Sequence, residues 1–165
     1  MITLDVRDRV ATITLNDPGR RNIVSAALNA AVIAGMDELE GRDDVGAVIV
    51  TGAPPAFCAG ADLADLEACT ELVSTNWEDN VGAGLNLALG CDVILAGASA
   101  RFDTRFLKIG LHPGGGNTWR LRRITDVQAT MALVVFGEVV DGARAAEIGL
   151  AWRCVADDEL LITRI

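Results

Sequence analysis

Two glycine-bearing segments, a lone histidine and a pair of adjacent arginines are the parts of this 165-residue sequence whose types and spacing could do chemistry. In Ala56-Phe57-Cys58-Ala59-Gly60-Ala61-Asp62-Leu63 the small residues let a backbone N–H come close to a ligand oxygen that gains negative charge. In Val81-Gly82-Ala83-Gly84-Leu85-Asn86-Leu87-Ala88-Leu89 a glycine-rich turn enters a helix. A helix N-terminus favours an anion by ~0.3–1 kcal/mol at an exposed site. Either segment also reads as an ordinary turn between elements. The second is not a dinucleotide fingerprint, because Leu87 stands where the third glycine of G-x-G-x-x-G belongs. His112 is a candidate acid or base, with a plain surface or turn histidine as the alternative. Arg20 and Arg21 offer forked donors that match phosphate, unless they are simply a solvated turn. The Arg120, Arg122, Arg123 cluster reads as a charged surface or subunit contact. No G-x-S-x-G elbow occurs, and Ser99 lacks flanking glycines, so a serine hydrolase is set aside.

These groups need a framework to position them. Val10 to Leu15 alternates like a half-buried strand and pairs with Met1 to Val6 across an Arg7-Asp8-Arg9 turn. Asn16-Asp17-Pro18-Gly19 breaks the pattern, and Ser25 caps a helix whose apolar positions include Leu28, Ala31, Val32, Met36 and Leu39. Gly46 to Gly52 is a continuous apolar run, expected as a strand covered on both faces and completing a βαβ unit. Phe57 to Leu66 reads as a loop running into a helix that Asp62 caps, followed by a short helix over Gly84 to Leu89. A buried strand is expected over Cys91 to Ala96, a tight loop at residues 113–116, and helices over Val127 to Phe136 and Ala143 to Leu150. No repeat or linker divides the chain, so one α/β domain over residues 1–165 is expected.

Composition narrows the function. With 51% hydrophobic and 22% charged residues the chain is globular rather than disordered. The net charge of −9 opposes nonspecific nucleic-acid binding, which depends on neutralising phosphates with Lys and Arg. No apolar run reaches the ~20 residues of a membrane span, and the N-terminus has no signal-peptide pattern, so the cytoplasm is expected. Cys58, Cys69, Cys91 and Cys154 lack C-x-x-C spacing and read as reduced thiols. One histidine with scattered cysteines makes no ordinary zinc site, and no metal is expected.

The two glycine-bearing segments, in this order, resemble the paired oxyanion-hole segments of the enoyl-CoA hydratase (crotonase) superfamily. Two further blocks resemble the same family in order: Ala100 to Thr118, which includes Leu111-His112-Pro113-Gly114-Gly115-Gly116, and Asp141 to Ala151 with Val155 after it. Leu15 to Asn22 is similar to its N-terminal loop near the CoA nucleotide. The resemblance covers most of the chain and implies a crotonase-like (ClpP/crotonase) α/β fold with a repeated ββα spiral core. It implies that the N–H groups of Ala61 and Ala83 polarise an acyl-CoA thioester carbonyl and stabilise its enolate. It places Arg20, Arg21, Ala59, Gly60, Asp62, Gly82 and Leu111 around that ligand. It further implies a lyase or isomerase of fatty acid metabolism, with no cofactor beyond the CoA thioester. Assembly as a homotrimer or dimer of trimers follows from the same resemblance.

The sequence also departs from the family. Two glutamates hold the water in the hydratases, and the corresponding positions here are Asn86 and Phe106. Losing general acid or base catalysis typically costs ~10²–10⁴-fold per group. Asn86 can still orient a water or carbonyl, and Phe106 makes the pocket drier and bulkier. A noncatalytic acyl-CoA binding or carrier protein on the same fold is therefore the alternative. Between Asp62 and Val81 the family's buried strand has no counterpart, since Glu67 to Asn80 contains no apolar β run. The sequence likewise stops at Ile165, where the family continues into C-terminal helices that cover the site and help form trimers; for the missing strand the readings are a rebuilt segment or residues omitted from the sequence, and omission is expected.

Overall fold

A computed structural model describes residues 1–62 and 83–160, which fall into two compact units, Met1–Asn80 and Val81–Ile165. The helix expected to start at Leu63, and the missing strand between Asp62 and Val81, lie outside the described residues.

The first unit opens with the expected hairpin. Strands β1 (Ile2–Arg7) and β2 (Val10–Leu15) run antiparallel, with Arg7 opposite Val10. The two turn residues, Asp8 and Arg9, both have left-handed φ, of 51° and 66°, the sense of turn whose twist matches a two-residue hairpin. Helix α1 (Ala26–Leu39) follows, and Ser25 Oγ accepts from Leu28 N at 3.2 Å, a cap worth ~1 kcal/mol. Strand β3 (Ala47–Gly52) then returns parallel to β2, giving the sheet order β1-β2-β3. The alternation in β2 buries Ala11, Ile13 and Leu15 completely, and Leu28 and Leu39 of α1 are buried as well. Burying each large side chain contributes about 1.5–3 kcal/mol.

Two expectations for this unit need correction. Met36 is exposed, because the helix buries Gly35 instead, where a Cβ would lie 2.7 Å from the Ile2 Cδ1 methyl. A side chain at position 35 would require the Ile2 methyl to shift. Strand β3 is not covered on both faces: Val48 and Ile49 are 38% and 39% exposed, and β3 is an edge strand of the described sheet.

The second unit contains helices α2 (Ala83–Leu89), α3 (Asn117–Ile124), α4 (Val127–Val134) and α5 (Gly142–Glu147). Strand β4 (Leu95–Gly97) pairs in parallel with β7 (Arg153–Val155), and β5 (Arg101–Phe102) pairs antiparallel with β6 (Val140–Asp141). Ala96, Leu121, Leu133, Val134, Val140, Ala145, Leu150 and Ala151 form its core. Asp126 and Asp141 cap α4 and α5 through Ala129 N and Arg144 N, at 2.7 and 2.8 Å. The strand expected from Cys91 begins only at Leu95, and Cys91 and Val93 are exposed. The helix expected to reach Phe136 stops at Val134, leaving Phe136 on the surface.

Candidate functional site

The loop carrying Ala61 is shaped by a strip of backbone from the turn before α1. Val24 and Ala61 form a parallel bridge in which Val24 N donates to Gly60 O at 2.8 Å and Asp62 N donates to Val24 O at 3.2 Å. One step earlier, Ala59 N donates to Arg21 O at 3.0 Å, and Gly60 N donates to Cys58 Sγ at 3.4 Å. Within residues 59–62 the N–H of Ala61 alone finds no acceptor among the described residues. A partly buried N–H left in this state is a preformed donor for an incoming oxygen. Gly60 makes the geometry possible, because its φ of +110° is one that L side chains rarely adopt. The Cys58 thiol is pushed above its ordinary range, chiefly by burial, with backbone hydrogen bonds at Gly60 and Val24 opposing the shift.

The same strip holds both arginines. Arg20 is committed to two carboxylates, reaching Asp17 Oδ2 and Asp62 Oδ2 at 2.8 and 2.9 Å. Asp62 is thus tied to the turn, and its side chain points toward Arg20. The exposed Arg21 has a left-handed φ of 53° and no carboxylate paired with its side chain among the described residues. Of the two, Arg21 is the one left available to a phosphate.

In the second unit, α2 begins at Ala83, so the N–H of Ala83 has no partner inside the helix. Gly82 lies outside the described residues. Asn86, one turn on, is buried, and both ends of its side chain are bonded: Nδ2 donates to Gly114 O at 3.2 Å, and Oδ1 accepts from Asn117 Nδ2 at 2.9 Å. The Gly114 carbonyl can only accept, which fixes the orientation of both amides. Asn117 Oδ1 is then left without a hydrogen-bond partner among the described residues. Arg120 closes the group by donating to Asn86 O at 3.1 Å.

Phe106 is 2% exposed and lines a cleft of about 210 Å³ together with Thr104, Arg105, Lys108, Val134 and Phe136. Thr104 Oγ1 donates to Leu133 O at 2.7 Å and anchors this segment to α4. Leu111 N donates to Phe106 O at 2.9 Å, and His112 next to it is exposed. Among the described residues no group of three His, Cys, Asp or Glu could hold a metal ion, and no helix is long and apolar enough to cross a membrane.

The structure therefore joins Arg20, Arg21, Ala59, Gly60, Ala61 and Asp62 within the first unit. It places Ala83, Asn86, Phe106, Leu111 and His112 in the second. Two residues were missed in sequence. Asn22 is fully buried at the centre of the strip, and its signal was an asparagine two residues after a Pro-Gly-Arg turn, where a left-handed φ is tolerated. Asn117 directly follows a triple glycine, and nothing in its local pattern shows that it faces Asn86.

The chain is similar to known proteins over nearly its whole length. The family model described as enoyl-CoA hydratase/isomerase matches residues 5–78 and 78–165. A probable enoyl-CoA hydratase of Mycobacterium tuberculosis is 44% identical over 181 aligned positions, covering 95% of this chain and 70% of the relative. That span exceeds the 165 residues of the chain, so the relative carries residues within it that are lacking here. The family match likewise comes in two parts that meet at residue 78. Among solved structures, an enoyl-CoA hydratase from Mycobacterium tuberculosis H37Rv superposes with a TM-score of 0.86 at 35% identity, covering 98% of this chain and 77% of the other. A putative enoyl-CoA hydratase/isomerase from Mycobacterium abscessus gives a TM-score of 0.88 at 25% identity, covering 98% and 73%.

Proposed function

Because this chain belongs to the enoyl-CoA hydratase/isomerase family and has its crotonase-like fold, we propose that residues 1–165 act as one acyl-CoA domain that stabilises a thioester enolate. In this reading the thioester oxygen accepts hydrogen bonds from Ala61 N and Ala83 N. Negative charge collects on that oxygen when the α-carbon is deprotonated or the β-carbon is attacked, and fixed donors aimed at it typically contribute ~10²–10³-fold each. The observation that supports it most is the Ala61 N–H, which has no acceptor among the described residues while Ala59, Gly60 and Asp62 on either side are bonded.

The rest of the reading follows from the residues named. Arg21 pairs with a CoA phosphate, and Ala59, Gly60, Asp62, Gly82 and Leu111 line the ligand, with Arg20 holding Asp62 in place. Asn86 is engaged by Gly114 and Asn117, and Phe106 has no ionisable group, so neither moves a proton. His112 is the candidate for that role because it is exposed and its imidazole can both give and take a proton. The CoA thioester is the ligand and no further cofactor is invoked. A homotrimer or dimer of trimers in the cytoplasm completes the proposal.

The test is calorimetry with short and medium acyl-CoA and enoyl-CoA esters, followed by assays for hydration and double-bond shift. Binding with turnover is expected. Binding without turnover would instead favour a noncatalytic carrier, which the relatives named as probable hydratases do not favour. Absence of binding to every ester would overturn both.

A further inference from the structure

Asn22 is used by no step of the proposed chemistry, yet among the described residues of the first unit it is the most completely engaged polar side chain. It is fully buried and sits at a left-handed φ of 55°. Its Nδ2 donates to Ala53 O at 2.8 Å and to Ala56 O at 2.7 Å, and its Oδ1 accepts from Asp17 N at 2.8 Å. Its own N–H donates to Asp17 O at 2.9 Å. The loop it grips is folded back on the end of β3: a Cβ at Gly52 would collide with the Phe57 carbonyl. Two carbonyls of that loop thereby come within reach of one amide group. The next residues along the same loop are 59–62, and they are bonded to Arg21 and Val24, the near neighbours of Asn22.

We propose that Asn22 is the positioning residue of the oxyanion loop, clamping residues 53–56 to the 17–24 turn so that Ala61 N–H keeps its aim. This rests on the acyl-CoA reading above. The fit is specific in chemistry. Aspartate has the same shape but cannot donate to either carbonyl, while glycine keeps the left-handed backbone and loses every side-chain bond. Asn22 never touches the thioester, so its removal changes the polarisation of the bound carbonyl more than the binding of the CoA portion.

The test uses the full chain and carbonyl-labelled butyryl-CoA, reading the thioester C=O stretch by difference infrared spectroscopy beside the Kd. The wild type is expected to lower the frequency of the bound ester. In Asn22→Gly and Asn22→Asp the band returns toward its free-ester position while Kd changes less than about threefold, a change well under a tenfold step in affinity. If both variants bind the ester with the wild-type frequency, the positioning role is overturned and the oxyanion reading stands. A wild-type band that does not move overturns the oxyanion reading itself. Should neither variant fold, amide hydrogen exchange in the wild type decides. The N–H groups of Ala59 and Asp62 are expected to exchange in step with those of Asp17 and Asn22, as one opening unit. Faster, independent exchange at Ala59 and Asp62 would overturn the clamp.

Discussion

Val24 and Ala61 face each other across a single parallel bridge whose hydrogen bonds go to Gly60 and Asp62, the residues on either side of Ala61. In a parallel ladder one strand's residue bonds to the two neighbours of its opposite number, so the opposite residue points its own N–H away from the bridge. The availability of the Ala61 N–H is thus a property of register.

Gly60→Ala tests that register. A side chain at φ +110° costs of order 1–3 kcal/mol in backbone strain. No heavy atom lies within 4 Å of the would-be Cβ, so crowding adds nothing. The expected result is a loss of that size in urea-measured stability together with a weaker shift of the bound thioester carbonyl. Unchanged stability would show that the loop relaxes to another conformation.

Arg20 and Arg21 are adjacent, and opposite outcomes are expected for them. Arg21→Ala removes a charge-assisted contact to phosphate worth about 1.5–3 kcal/mol, which corresponds to ~10–100-fold in Kd for a CoA ester. Arg20→Ala breaks two half-exposed ion pairs of the kind worth ~0–1 kcal/mol, and should move stability slightly with little change in affinity. Titration calorimetry at two salt concentrations separates them, since only the Arg21 effect should shrink strongly with salt.

Asn86 and Asn117 should prove coupled. Asn86→Leu leaves the buried Gly114 carbonyl with the Asn117 N–H at 3.1 Å and strands the Asn117 side-chain amide, at a cost of ~1–3 kcal/mol. Adding Asn117→Leu removes that stranded amide. In a double-mutant cycle by chemical denaturation, the pair should cost less than the two single changes added together, by ~0.5–3 kcal/mol. Simple additivity would mean the two amides do not share a bond.

Cys58 sets a pH expectation. Its folded-state pKa is raised by burial, so the folded protein holds this proton more tightly than the unfolded chain. The associated stability is complete below the ordinary thiol pKa and is lost as pH rises through the folded value. Alkylation of Cys58 by iodoacetamide should be slow at neutral pH and rise only at alkaline pH, as followed by peptide mass mapping. Fast labelling at pH 7 would contradict the burial.

Much of this architecture was legible in sequence. The hairpin and Ser25 cap follow from period-two alternation and a hydroxyl before an apolar run, both strictly local signals. The order of the glycine-bearing blocks gave the family. What local pattern could not show was where a side chain's partners come from. Asn22 reaches residues more than thirty positions away, and Asn86 and Asn117 meet over a separation of 31. The Cys91 to Ile94 run looks like a core strand because it is apolar, but only Leu95 to Gly97 finds β7 to pair with. Likewise Met36 has the right spacing for the core, yet the buried stripe of α1 runs through Leu28, Gly35 and Leu39 and packs Ile2 against Gly35.

The polarity of the Asn86 bonds limits what can replace it. Gly114 asks residue 86 for a hydrogen, and Asn117 offers it one. A carboxylate at position 86 could satisfy Asn117 but would turn a lone pair toward the Gly114 carbonyl. Asn86→Glu therefore trades a donor for a repulsive contact and leaves the Gly114 carbonyl with the Asn117 N–H alone. Position 86 asks for a side chain that gives with one hand and takes with the other, and among residues of this size only an amide does both without changing its charge.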